Sequence, residues 1–260
     1  MNLLPEGLLP AFGLYLVRTS ALVLAAPVFS SVSNFRGYRI GLIVSLSVVL
    51  FLASGEPLVE TPEAVSFALL TGRELVIGLM LAFVLQAVVL AVKVAGHMVG
   101  QEMAFNMASQ SDPVSGTSLP ILAFFYETMF LLILLGVDGH LWVVRALAES
   151  YERAPVGDML MGSGMSEFAL ALFSEMFIAG LTFAAPVFVL LALISVLVGF
   201  LARAVSQINV MEFSFSARII AGFVGILLFA PLIQPASQSL LTSLMDGLSA
   251  SLDVIEVSGE

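Results

Sequence analysis

A chain of 260 residues that is 60% hydrophobic and only 11% charged, with no cysteine and a formal net charge of −10, departs from a soluble domain, where about 25% of residues are charged and 45–50% apolar. A soluble fold of this length could not hide that much apolar surface, and a mean hydropathy of +1.09 points to an integral membrane protein or the core of a larger apolar assembly. The missing cysteines exclude disulfides and thiolate metal ligands, and the acidic balance argues against a nucleic-acid partner.

The N-terminus, MNLLPEGLLP, has Glu6 where a secretory signal would be basic, so the first apolar segment is expected to be retained. Apolar segments follow at 8–30, 40–54, 65–95, 119–137, 168–199 and 217–235. The second is short for a crossing, which needs about 20 residues. The fifth, as one helix, would run about 48 Å against a hydrocarbon core of about 30 Å. Pro186 near its middle predicts either a kinked long helix or a hairpin of two shorter ones. The stretch 138–166 reads as a loop, and its part 151–166, YERAPVGDMLMGSGMS, separates an N-terminal block (1–150) from a C-terminal region (151–260).

Basic residues set the expected orientation. Arg36 and Arg39 place the first loop in the cytoplasm, and Lys93, Arg203 and Arg218 do the same further on. Arg145 and Arg153 break the pattern. Six crossings would put the C-terminus outside, seven inside.

Charges within apolar runs are expensive in hydrocarbon and usually pair with one another or line a watery path. Arg18, the pair Arg73–Glu74 and Glu175 are such charges, and Gln86, Lys93 and Glu127 lie in or at the ends of other apolar segments. Two readings follow: buried pairing between helices or subunits, or an ion or proton relay in a secondary transporter of small solutes. His97 and His140 fall at segment ends beside glycines, which weakens the relay.

Between Met98 and Pro120 the sequence MVGQEMAFNMASQSDPVSGTSLP joins two apolar stretches. Pro113 and Gly116 preclude a continuous helix, and Asp112-Pro113 favours a turn. Met103, Phe105 and Met107 are apolar groups suited to filling an irregular gap, set among the polar Asn106, Ser109, Gln110 and Ser111. The segment is either a solvated connector or a plug. No phosphate-binding glycine loop, metal cluster or nucleophile–base arrangement occurs in the sequence, so neither catalytic residues, metal nor cofactor are expected. Glycines spread through the apolar segments favour close helix packing.

Four stretches, in order, resemble the FliR family of flagellar export-gate proteins: RTSALVLAAPVFSS followed by Arg36 and Arg39; GHMVGQEMAFNMASQSDP; DGHLWVVRALAESYERAPVG; and GFLARAVSQINVMEFSFSARI. The last is similar to an Arg-x-x-Pro-Gln-x-Asn pattern carried here by Arg203, Gln207 and Asn209. It departs at Ser206 for Pro, at Ser214 and Ser216 for Gly and Pro, and at Glu212 for an apolar residue. The resemblance implies an all-α fold of polytopic membrane-type hairpins packed into a multi-subunit helical export gate. It further implies a bacterial inner-membrane location in the flagellar basal body, with FliP, FliQ and FlhB homologues, unfolded export substrates and membrane lipid as partners. The block 1–150 would resemble FliP and 151–260 FliQ. The loop carrying Met103, Phe105, Asn106, Met107, Ser109, Gln110, Asp112 and Pro113 would be the plug. Arg18, Arg36, Arg73, Glu74, Arg203, Gln207 and Asn209 would serve assembly.

Overall fold

The computed structural model describes residues 7–31, 36–58, 62–104, 120–158, 164–204 and 210–255. Among them every regular element is an α-helix: α1 Leu8–Ala25, α2 Pro27–Ser31, α3 Arg36–Ser54, α4 Ala64–Glu102, α5 Ile121–Gly136, α6 Gly139–Arg153, α7 Met165–Ala204 and α8 Val210–Ile255.

The helices lie where the apolar segments are, with five differences. The first segment breaks at Ala26, which is extended (φ −75°, ψ 127°), because Pro27 disfavours a helical residue before it. Pro27 then opens α2, where a missing N–H costs nothing. The second segment gains its first turn from Arg36 to Arg39, and Gly37–Ser54 alone is long and apolar enough to cross a bilayer. The stretch 138–166 is not a simple loop, because it holds α6. That helix is amphipathic, with Gly139, Val143, Ala146, Leu147, Ser150 and Tyr151 buried, a three-four spacing that gives one inward stripe. Pro186 lies inside one unbroken helix of 40 residues, α7, so the hairpin alternative falls. The sixth segment likewise extends on both sides, into a 46-residue helix containing Pro231 and Pro235.

Among the described residues, four helices meet the length and hydropathy of a membrane span: α1, α3, α4 and most of α7; α5 and α6 form a fifth if taken together as one broken span. The chain packs as two compact units. The first comprises Met1–Ala87, Val137–Phe173 and Ser243–Glu260; the second comprises Val88–Gly136 and Ser174–Thr242. Helices α4, α7 and α8 each contribute to both.

In the first unit, α1 lies against α3, where Tyr15 meets Phe51 edge-on (5.3 Å) and donates to the Ser54 carbonyl (3.2 Å). Ile77 and Met80 of α4 are buried with Ala154 and Ile255, and Met165 and Phe168 close over them. The second unit is drawn together by small residues. A Cβ at Gly96 would come within 2.7 Å of the Leu122 carbonyl, and one at Gly180 within 2.7 Å of the Ala91 carbonyl. Helices α5 and α7 thus approach α4 nearly backbone to backbone, as in membrane-type packing. Large apolar side chains remain on the outside, among them Leu52, Leu170, Phe200 and Leu227.

Candidate functional site

The most polar point of the buried interior lies in the first unit, where three segments distant in sequence converge. Helix α1 supplies Arg18, α4 supplies Arg73 and Glu74, and the C-terminal end of α6 supplies Ser150, Tyr151 and the carbonyls that follow. Arg18 and Glu74 are wholly buried and Arg73 nearly so. One turn beyond Glu74, Gly78 lets α1 approach, since a Cβ there would strike the Arg18 carbonyl.

The Arg18 guanidinium donates from Nε to Glu74 Oε2 (2.5 Å) and from Nη1 to the Ser150 carbonyl (2.7 Å) and hydroxyl (3.1 Å). Its Nη2 donates to the Ala154 carbonyl (2.9 Å). Arg73 Nη1 donates to Glu74 Oε1 (3.0 Å) and to the Pro155 carbonyl (3.0 Å). Two cations therefore share one carboxylate. The charge left over faces carbonyls at the C-terminal end of α6, the negative end of its dipole; the Ser150 carbonyl there also accepts the Ala154 N–H (3.0 Å).

Aromatic groups seal the cluster. Arg18 stands 4.3 Å over the Tyr151 ring, a cation–π contact that is strongest when desolvated. Tyr151 stacks on Tyr15 at 4.1 Å with the planes 6° apart. The Tyr151 hydroxyl donates to the Tyr15 carbonyl (3.1 Å) and lies 3.1 Å from Thr19 Oγ1. Chemically the arrangement is a clasp. Both Glu74 oxygens are held by guanidiniums and neither is exposed.

Of the residues singled out in the sequence, Arg18, Arg73 and Glu74 meet here. Glu175 is exposed on α7 and Arg203 is exposed in its last turn. Lys93 pairs with Glu127 across α4 and α5 (3.1 Å). Met103 is fully buried at the end of α4. Arg36 opens α3, and its side chain lies outside the described residues, as do Phe105, Asn106, Met107, Ser109, Gln110, Asp112, Pro113, Gln207 and Asn209. The contribution of α6 was missed, although a signal existed: the Ser150-Tyr151 pair stands within the DGHLWVVRALAESYERAPVG stretch that carried the resemblance. Among the described residues no group of three or more His, Asp or Glu could hold a metal ion.

Residues 9–244 match the family described as "Bacterial export proteins, family 1". Over 246 residues the chain is 30% identical to the flagellar biosynthetic protein FliR of Pectobacterium carotovorum, covering 93% of this chain and 92% of that one. It is 28% identical to FliR of Escherichia coli over 235 residues (90% and 89%) and 28% identical to FliR of Bacillus subtilis over 255 residues (96% and 98%). The chain belongs to the bacterial export proteins of family 1 and is a membrane-spanning member of the group that contains the flagellar biosynthetic proteins FliR.

Proposed function

We propose that this protein is a core subunit of the flagellar type III export gate. With FliP-like and FliQ-like partners it forms the channel through which unfolded flagellar substrates cross the inner membrane at the basal body, and it contacts an FlhB-like protein. The observation that carries this reading is the family match along nearly the whole chain. The apolar faces left exposed on α3, α7 and α8 agree with it, because surfaces of that kind demand lipid or sister subunits. In this reading the block 1–150 is the part similar to FliP, and 151–260 the part similar to FliQ. The loop 103–115 plugs the channel at rest and moves aside for substrate, and the energy for export comes from other components.

Assembly is tested by expression with and without the two partners. Purification of a stable, monodisperse monomer from detergent would count against the proposal. The plug is tested by deleting residues 105–111: the complex should assemble yet leak ions and small solutes. A deleted complex as tight as wild type in a conductance assay makes the segment an ordinary connector.

A further inference from the structure

Helix α4 ends in an unusual way. The Met103 N–H still bonds to the Val99 carbonyl (3.0 Å), and the Ala104 N–H turns back to Gln101 (2.9 Å). Ala104 itself has φ 59°, the left-handed conformation normally left to glycine at a helix end. A residue with a Cβ persists there only when its surroundings over-determine it. The surroundings are visible one residue earlier. The Met103 side chain is fully buried, and it lies where a Cβ on Gly222 of α8 would be, against its Cγ, Sδ and Cε together. Met103, Ala104 and Gly222 all belong to the second unit.

We infer that Met103, seated in the notch left by Gly222, is the anchor that ties the end of α4 to α8 and holds the strained turn at Ala104. Met103 is then a positioning residue: it fixes where the chain leaves α4 and in which direction, and a displacement of α8 is felt first at that turn. This rests on the plug reading only for its consequence in conductance. The choice of residue types fits the role. Met is long and adaptable enough to fill a notch formed by a missing side chain, and glycine at 222 is required by the approach.

The chain has no cysteine, so the contact can be tested by pairing. Met103→Cys with Gly222→Cys places two Cβ atoms within disulfide reach, because the 222 position abuts Met103 one bond from its Cβ. Oxidation of the assembled complex, co-expressed with its sister subunits, should link residues 103 and 222 in most copies. Met103→Cys with the exposed Leu227→Cys should not link. Absence of the 103–222 link overturns the anchor. Gly222→Leu then fills the notch. Proteolytic cleavage within 104–119 should rise several-fold, resting conductance should approach that of the 105–111 deletion, and Met103→Ala added to Gly222→Leu should return both toward wild type. If Gly222→Leu alone blocks assembly, recovery in the double variant supports the anchor and failure to recover overturns it. Unchanged conductance in Gly222→Leu beside a leaking deletion overturns the anchor and leaves the plug standing. A tight deletion removes the plug, and the proteolysis result then decides the anchor alone: increased cleavage supports it, unchanged cleavage overturns it.

Discussion

Arg18 Nε and Glu74 Oε2 lie 2.5 Å apart, with neither side chain exposed to solvent. A buried pair of this kind adds little over a well-packed apolar substitute, but removing one member leaves an uncompensated charge and costs about 3–5 kcal/mol. Here the asymmetry is sharper, because Glu74 answers two guanidiniums. Glu74→Gln should lower the thermal midpoint and yield of the assembled complex more than Arg73→Ala does. Arg18→Lys should fall well short of wild type, since an ammonium cannot reproduce the fork that reaches Glu74, Ser150 and Ala154 together. Equal midpoints for Glu74→Gln and wild type would show that the cluster contributes nothing to assembly. Selective loss of ion coupling in a normally assembled Arg73→Ala complex would favour a transporter.

Tyr151 combines stacking, a cation–π contact and a hydrogen bond, which two substitutions separate. Tyr151→Phe keeps the ring over Tyr15 and under Arg18 and should cost about 1 kcal/mol, the net value of one hydrogen bond. Tyr151→Ala empties the space and should cost about 3–5 kcal/mol. Melting the purified complex distinguishes them, and similar losses from both would mean that the hydroxyl, not the ring, matters.

Ala104 pays for its left-handed backbone, and glycine would not. Ala104→Gly should stabilise the end of α4 by about 1 kcal/mol, read as slower amide exchange over residues 99–104. Ala104→Val should do the reverse. A destabilising glycine would show that the turn is not strained.

Arg153 holds Glu149 (2.7 Å) on its own helix and Asp253 (2.5 Å) on α8. Since the Asp253 side chain is 69% exposed, the tie is a weak, salt-screened surface pair. Arg153→Ala should raise protease access to the last turn of α8 at low salt. At about 1 M salt, where charges are screened within about 3 Å, wild type and variant should converge. A difference that survives high salt would indicate lost packing, not lost charge.

The residues that announced themselves in the sequence did so by rarity. Arg18, Arg73 and Glu74 interrupt apolar runs, where a charge needs a partner, and the structure brings the three together. Their further partners include the backbone carbonyls of Ser150, Ala154 and Pro155, and a carbonyl leaves no mark in a sequence. Helix α6 was hidden for a related reason: Arg145, Glu149, Glu152 and Arg153 lower its hydropathy, while its buried stripe is legible only at a three-four spacing. Pro186 left a kinked long helix and a hairpin both open in the sequence, and it sits inside one helix, as Pro231 and Pro235 do inside α8, which apolar bundles tolerate when neighbouring groups satisfy the freed carbonyls.

The clasp has a temporal side. Arg18 leaves the ribosome 56 residues before Glu74 and 132 before Ser150. At about 5–20 residues per second, the wait for Ser150 is roughly 7–26 s. Throughout it α1 carries a guanidinium with none of its final α6 acceptors yet made, so α1 cannot settle into apolar surroundings on its own. Its insertion must stay reversible, or be sheltered by the insertion machinery, until α6 arrives. Helix α1, made before the helices that hold Arg18, is therefore among the last to be secured.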